Sequence, residues 1–296
     1  MTSITGTVVA RYRRHCLVEG ADASRVSCQI QRRALKPVVG DSVSWQPEAD
    51  GTGTLTKISP RDNELTRIDN RGRPEIVAAN LSQLVVVLAP DPPPDWFLLD
   101  RYLAAAELQG YGAVIAFNKL DLTAALPDEL DAYANLGYVT IRTSAARGDG
   151  LAELTAALRG KRSAMIGQSG VGKSSLLNAV LGDARQAVGA LSEKSGLGRH
   201  TTSTAVLFAL PEGGELIDSP GVRDYAPYIE DPRVVANGFR EFGDKIPLCR
   251  FQNCRHLAEP DCAIKSAVVS GEIAAQRYAS YERLYELTAS LQAGRR

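Results

Sequence analysis

The sequence predicts a multidomain α/β protein in three parts. Residues 1–66 read as an N-terminal β-barrel of the oligonucleotide-binding (OB) type, 67–225 as a mostly parallel sheet with helices, and 226–296 as an α-rich part with a metal-binding loop. Three observations predict this. Short β-branched runs separated by Gly-, Asp- and Pro-rich turns fill the first part. From Ile76 onward strand patterns alternate with helix patterns, the mark of a parallel sheet. Near the C-terminus three cysteines and a histidine crowd into one loop. The length of 296 residues suits two or three modest domains, and 44% hydrophobic with 23% charged residues is ordinary for a soluble globular chain. A formal net charge of +0 gives no global field for polyanions, so nucleic-acid contact has to come from local patches. Residues 1–14 lack the apolar core of a signal peptide, and the longest apolar run, 84–89, is too short to span a bilayer. A cytoplasmic protein with no membrane partner is expected.

In the first part, strands are expected over 4–12, 15–19, 26–30, 41–46 and 53–58. Five short strands in this length fit an OB-type barrel. The stretch carries Arg11, Arg13, Arg14, Arg25, Arg32, Arg33 and Lys36, a local basic excess suited to a phosphate backbone. Tyr12 and Trp45 are its only aromatics, so base-specific stacking is not expected. Cys16 and Cys28 are expected to be buried, reduced thiols.

The second part opens with a buried strand over 84–89 and a stiff Pro-rich loop over 91–95. Helices are expected over 96–109, 128–136 and 150–158, and strands over 112–117, 138–143 and 162–166. The last of these strands leads into Gly167-Gln168-Ser169-Gly170-Val171-Gly172-Lys173-Ser174, which fits the phosphate-loop pattern G-x-x-x-x-G-K-[ST]. Small residues are needed there because the backbone wraps a polyphosphate closely, and its N–H groups with the start of the next helix make an anion cradle. Lys173 is expected to bridge the β- and γ-phosphates and Ser174, followed by Ser175, to offer a hydroxyl to Mg²⁺. A helix is expected over 174–181, then strands over 204–210 and 215–217.

Three more motifs fit one guanine nucleotide site. Asn118-Lys119-Leu120-Asp121 matches N-K-x-D. Its carboxylate can accept two hydrogen bonds that guanine offers and adenine does not, Lys119 can lay its stem on the base, and Asn118 can tie loops together. Ser144-Ala145 follows a strand and suits a backbone N–H reading the guanine carbonyl. Asp218-Ser219-Pro220-Gly221 ends an apolar strand and reads as D-x-x-G, with Asp218 near Mg²⁺ and the Gly221 N–H sensing the γ-phosphate. Residues 195–202 are Gly-rich and suit a switch loop, in which Thr201 or Thr202 would complete the Mg²⁺ shell. In ordinary small GTPases the purine reader follows the phosphate loop, whereas here it precedes it. The sequence therefore describes a circularly permuted P-loop GTPase domain. Val222 stands where Ras-like enzymes carry a water-positioning Gln, and His200 is the candidate to orient or deprotonate the water in its place.

In the third part, Cys249, Cys254, His256 and Cys262 offer four soft ligands, enough to close a tetrahedral shell around one structural Zn²⁺. A helical tail is expected over 271–291, with Ile273, Tyr278, Tyr281, Leu284, Tyr285 and Leu291 as its packing stripe.

Taken together, these motifs resemble the circularly permuted GTPases that act in small ribosomal subunit maturation, the family of ribosome small subunit-dependent GTPase A. The resemblance spans almost the whole chain. It implies an OB barrel contacting 16S ribosomal RNA, and GTP hydrolysis to GDP and phosphate stimulated by the 30S subunit during late maturation. Release of the factor would follow hydrolysis. The family carries a hydrophobic residue in place of the catalytic Gln, matching Val222, and suspects the histidine of its Gly-x-Gly-Arg-His-Thr-Thr stretch, matching His200. No coiled-coil repeat suggests more than a monomer. Two other classes compete: a non-hydrolysing, nucleotide-gated rRNA-binding module, motivated by Val222, and a phosphate-loop kinase or ATPase, against which Asn118 and Asp121 argue.

Overall fold

The computed structural model describes residues 4–31, 34–69, 72–123, 125–182, 205–218 and 228–293. Strands β1 (Ile4–Arg11), β2 (His15–Glu19), β3 (Arg25–Gln29), β4 (Ser42–Pro47) and β5 (Gly53–Ile58) lie within a residue or two of expectation. They close in the order β1-β2-β3-β5-β4-β1, antiparallel except for the parallel β3–β5 pair. Alternation turns Val8, Cys16, Val18, Cys28, Val43, Trp45 and Leu55 into one core. Cys16 and Cys28 face each other across β2–β3, buried and free. Gly53 is required at this point, because a Cβ there would fall 2.5 Å from the Trp45 ring.

A hairpin that the sequence reading did not include follows: β6 (Glu64–Ile68) and β7 (Pro74–Ala79) form their own two-stranded sheet. Residue 66, the expected end of the barrel, lies inside β6. Leu65 and Ala78 anchor the hairpin in the main core, and its outer face is laced by Arg67–Glu75 and Arg73–Asp69 pairs.

The main sheet comprises β8 (Gln83–Leu88), β9 (Gly112–Phe117), β10 (Val139–Arg142), β11 (Arg162–Ile166), β12 (Ala205–Ala209) and β13 (Glu215–Asp218), in the order β10-β9-β8-β11-β13-β12. All neighbours run parallel except β12. Strand β8 is buried on both faces, which explains its unbroken apolar run. Leu84, Val86 and Leu88 face helices α1 (Trp96–Gln109) and α2 (Glu129–Asn135), while Val85 and Val87 face α3 (Leu151–Leu158) and α4 (Lys173–Leu181). Helix α1 is capped at both ends: the Asp95 carboxylate accepts from the Leu98 N–H at 2.9 Å, and Gly110 ends it at φ 74°. Barrel and sheet are continuous, because β12 pairs with β1 through Ala10↔Val206 and Arg11↔Ala205.

Residues 228–293 form the third part. Short 3₁₀ turns at Pro232–Gly238, Arg240–Phe242 and Ile246–Leu248 precede α5 (Ala263–Val269) and α6 (Ala275–Ala293). The tail helix starts at Ala275 rather than 271, because Gly271 at φ 81° reverses the chain after α5. Ile273, Tyr281 and Leu284 are buried in this core and Tyr278 and Tyr285 flank it; Leu287, not Leu291, completes the stripe. The same core includes Ala104 of α1, against which Gly238 packs so closely that a Cβ would lie 2.8 Å from the Ala104 Cβ. Helix α1 is thus buried on two sides, against the sheet and against the C-terminal part. Among the described residues no helix is long and apolar enough to cross a membrane.

Candidate nucleotide site and metal centre

Parallel strands deliver their following loops to one edge of the sheet, which is where ligands bind in open α/β sheets. Here β9 ends in Asn118, β10 in Thr143 and Ser144, β11 in the phosphate loop, and β13 in Asp218. The loop between β11 and α4 needs its glycines. A Cβ on Gly167 would fall 2.2 Å from the Val87 carbonyl oxygen, and one on Gly172 would fall 2.3 Å from Asn118 Nδ2; both have positive φ. Lys173 Nζ donates to the carbonyls of Gly167 at 2.7 Å and Gln168 at 2.5 Å, so its ammonium lies over the loop.

Asn118 is 1% exposed and joins three segments. Its Nδ2 donates to the Val171 carbonyl at 3.0 Å, and its Oδ1 accepts from the Ala145 N–H at 3.1 Å and the Thr143 hydroxyl at 3.3 Å. The N-K-x-D loop, the Ser144-Ala145 loop and the phosphate loop are therefore one hydrogen-bonded unit. Lys119 takes a left-handed backbone, φ 61°, and its Nζ donates to the Asp91 carbonyl at 2.7 Å. Asp121 is exposed except for the Ser144 hydroxyl, which donates to its Oδ1 at 2.5 Å and holds the carboxyl below its usual value. An acceptor that stays ionised is what the guanine edge needs.

Asn118, Lys119, Asp121, Leu122, Ala145, Ala146, Gly172, Ser175, Asn178 and Ala179 line one cavity of about 650 Å³, within the range of small-molecule sites. Beside it, Lys173, Ser174 and Asp218 share a small cleft. The two distant stretches thus close around one place, with Asp121 and the start of α4 on the same cavity wall. Ser144 does not line the cavity; it is buried and acts on Asp121 from behind. Val171 is buried, and Gln168 turns its side chain to the Pro-rich loop, accepting from the Asp95 N–H at 3.1 Å. Ser169 and Gly170 are exposed on the loop. His200, Thr201, Thr202, Gly221 and Val222 lie outside the described residues. Sequence reasoning missed Thr143, Asp91, Asp95, Asn178 and Ala179, whose contributions are a single hydrogen bond or a wall and carry no motif.

Cys249, Cys254, His256 and Cys262 bring one ligand atom each within 4.8 Å of one another. Cys249 Sγ and Cys262 Sγ lie 3.4 and 3.5 Å from His256 Nδ1 and 4.0 Å apart. A tetrahedral Zn²⁺ with Zn–S of about 2.3 Å and Zn–N of about 2.0 Å implies edges of about 3.5–3.8 Å. The donor set and its spacing fit one Zn²⁺, with no fifth position for catalysis. Burial pushes the Cys254 thiol up to about 12, a cost that a divalent cation would offset.

The RsgA GTPase family model matches residues 58–227. This chain belongs to that family. It is a GTPase, a hydrolase acting on GTP. It is 43% identical to the small ribosomal subunit biogenesis GTPase RsgA of Alcanivorax borkumensis, over 94% of this chain and 83% of that protein. It is 44% identical to the protein of the same name from Azotobacter vinelandii, over 94% and 84%. The crystal structure of YjeQ from Thermotoga maritima superposes with a TM-score of 0.76 at 33% identity, covering 97% of this chain and 99% of that one. YloQ, described as a circularly permuted GTPase, superposes at 0.75 with 27% identity, covering 98% and 96%. The permuted domain expected from the sequence is that of this family, and the superpositions extend over the N-terminal barrel and the C-terminal part as well.

Proposed function

We propose that this GTPase acts in the cytoplasm on the small (30S) ribosomal subunit. It binds 16S rRNA during late maturation, hydrolyses GTP to GDP and phosphate there, and leaves as a consequence. The single observation that carries the reading is the closure of the N-K-x-D loop and the phosphate loop, in swapped chain order, on one cavity; the relatives' names supply the ribosomal context.

The roles follow from the chemistry. Asp121 accepts the guanine N–H groups, Lys119 lays its stem on the ring, and the Ala145 N–H beside Ser144 meets the guanine carbonyl. The N–H groups of Gly167, Gln168, Ser169, Gly170, Val171 and Gly172 cradle the phosphates, with Lys173 on the β- and γ-oxygens and Ser174 and Ser175 at the helix start. Ser174, Asp218 and Thr202 are the residues to hold Mg²⁺, which when bound neutralises charge on the phosphate oxygens. Gly221 and Thr201 belong to the parts that respond to the γ-phosphate. With Val222 in place of a glutamine, His200 orients the water. Residues 1–66, 67–225 and 226–296 serve as the RNA-binding, GTPase and zinc-binding parts of a monomer, and Arg11, Arg13 and Lys36 line one open cleft at the barrel.

The test is GTP turnover by the purified protein with and without small subunits, and with ATP as competitor. Turnover that rises with small subunits and resists ATP supports the reading. Equal competition by ATP would defeat the assignment of Asp121. His200→Ala should spare GTP affinity and depress turnover; untouched turnover removes His200 from the mechanism. Equal 30S affinity with a GTP analogue and with GDP would reject coupled release, since a ligand without differential affinity shifts no equilibrium.

A further inference from the structure

His256 is the only imidazole in the Cys/His cluster, and its backbone is left-handed, φ 58°. A residue with a Cβ keeps that conformation only where its surroundings impose it. The surroundings here are specific. Glu259 Oε2 accepts from the Leu257 N–H at 3.0 Å, and Glu259 Oε1 accepts from the Arg255 N–H at 3.2 Å and from Arg255 Nε at 3.1 Å. From the other side α6 holds the carbonyls. Tyr278 Oη donates to the His256 carbonyl at 2.7 Å, and Tyr281 Oη donates to the Arg255 carbonyl. Both peptide planes flanking His256 are thereby gripped: the preceding one by its oxygen, the following one by its N–H and its oxygen. The backbone so fixed points Nδ1 at the Cys249 and Cys262 thiols. The Glu259 side chain is only 18% exposed, and its carboxylate is not among the clustered ligand atoms.

Resting on the reading of this cluster as a zinc centre, we infer that Glu259 is a positioning residue of that centre. It sets metal affinity without touching the ion, and Tyr278 and Tyr281 make α6 part of the same device. An outer group that orients a ligand is worth about 10- to 100-fold in metal affinity. A carboxylate gripping the backbone on either side of the histidine belongs in that range.

The experiment uses the full chain, stripped of metal and titrated with Zn²⁺ against a chromophoric chelator, and in parallel with Co²⁺, whose visible bands report the ligand set. Wild type should bind one ion with the intense bands of a tetrahedral thiolate site. Glu259→Ala should raise the dissociation constant about 10- to 100-fold and shift the Co²⁺ bands as the imidazole loosens, while GTP affinity stays at the wild-type value. Glu259→Gln keeps one carbonyl acceptor and should fall between the two. If Glu259→Ala does not give folded protein, Glu259→Gln and Tyr278→Phe carry the same test. Wild-type affinity and spectrum in Glu259→Ala, or in both of the milder variants, overturns the positioning role and leaves the metal centre standing. No uptake of either ion by wild type removes the centre and the inference with it.

Discussion

Arg277 of α6 holds the C-terminal part to the nucleotide-binding part, and replacing it gives the sharpest stability prediction. Its guanidinium is 6% exposed and meets two carboxylates. Nε and NH2 form a fork on Glu241 at 2.6 and 3.1 Å, and NH1 contacts Asp100 of α1. Tyr133 Oη also donates to Asp100, at 2.6 Å. Burial alone would lower the Arg277 pKa, but Glu241 and Asp100 hold it above the usual guanidinium value, while burial pushes the Asp100 carboxyl up. Arg277→Met keeps most of the volume and leaves two buried carboxylates without a cation. Breaking a buried pair this way costs about 3–5 kcal/mol, and here one guanidinium serves two pairs, which places the cost at the upper end. Trp96, the first residue of α1, stacks on Tyr133 at 5.9 Å and reports the joint by fluorescence once Trp45→Phe removes the other tryptophan. With a urea slope near ~3 kcal/mol per M, the Trp96 midpoint should drop by about 1–2 M. Arg233→Met is the control: its pair with Asp231 is made by a side chain 81% exposed, and pairs of that kind contribute about 0–1 kcal/mol. A shift no larger than the control's would refute the argument. So would failure of a neutral triple variant, in which Asp100→Leu and Glu241→Met accompany Arg277→Met, to regain most of the loss.

Three further predictions concern the sites and the barrel. Gly172→Ala should abolish measurable GTP binding by fluorescent-nucleotide titration while leaving the far-UV spectrum intact, because the new Cβ strikes the Asn118 amide at a positive-φ position. Ser144→Ala should weaken GTP by about tenfold, the scale of one hydrogen bond to a charged group, and release Asp121 toward its ordinary carboxyl value, so that GTP affinity falls off at a higher pH as the solution is acidified. Burial holds the Cys16 thiol at about 12 and Cys28 at about 11. Both should therefore resist thiol reagents at about pH 8 until the barrel unfolds. Because their folded values lie above the unfolded one, the two thiols' contribution to barrel stability should be full below about pH 9 and be lost as pH rises through about 11 to 12, a loss that Cys16→Ala with Cys28→Ala should remove from a chemical-denaturation series.

Local signals made most of the nucleotide-binding part legible in the sequence. Helix α1 is bracketed by Asp95 and Gly110, and β9 and β11 are apolar runs that end in motif residues. The hairpin β6–β7 was not legible, because its strands lack alternation and are held by Leu65 and Ala78 in the main core and by cross-strand charge pairs. The 3₁₀ turns before the Cys/His loop depend on Phe239 and Phe242 stacking on each other and meeting Tyr281 edge-on, contacts that no local propensity encodes. At the site, residues with a motif were found and their supports were not. Asp91 and Asp95 meet Lys119 and Gln168 through backbone groups, and Asp100 meets Arg277 across 177 positions of chain.

Those supports alter how nucleotide state can reach the C-terminal part. Chain order suggests a tether, since the D-x-x-G element directly precedes residues 228–293. The structure adds a second route that is already closed. Lys119 and Gln168 hold the 91–95 loop, that loop caps α1, and α1 carries Asp100, Ala104 and Glu107 against the C-terminal part, Glu107 pairing with Arg240 at 2.7 Å. Turning the C-terminal part away from α1 would expose the Arg277 network, at a cost of several kcal/mol. Sliding α1 together with it keeps that network buried and acts instead on the hydrogen bonds to the 91–95 loop, each worth about 0.5–1.5 kcal/mol, and on the packing of Leu99, Leu103 and Ala106 against the sheet. Any nucleotide-driven movement of the C-terminal part should therefore carry α1 with it and leave the α1–α6 contacts intact.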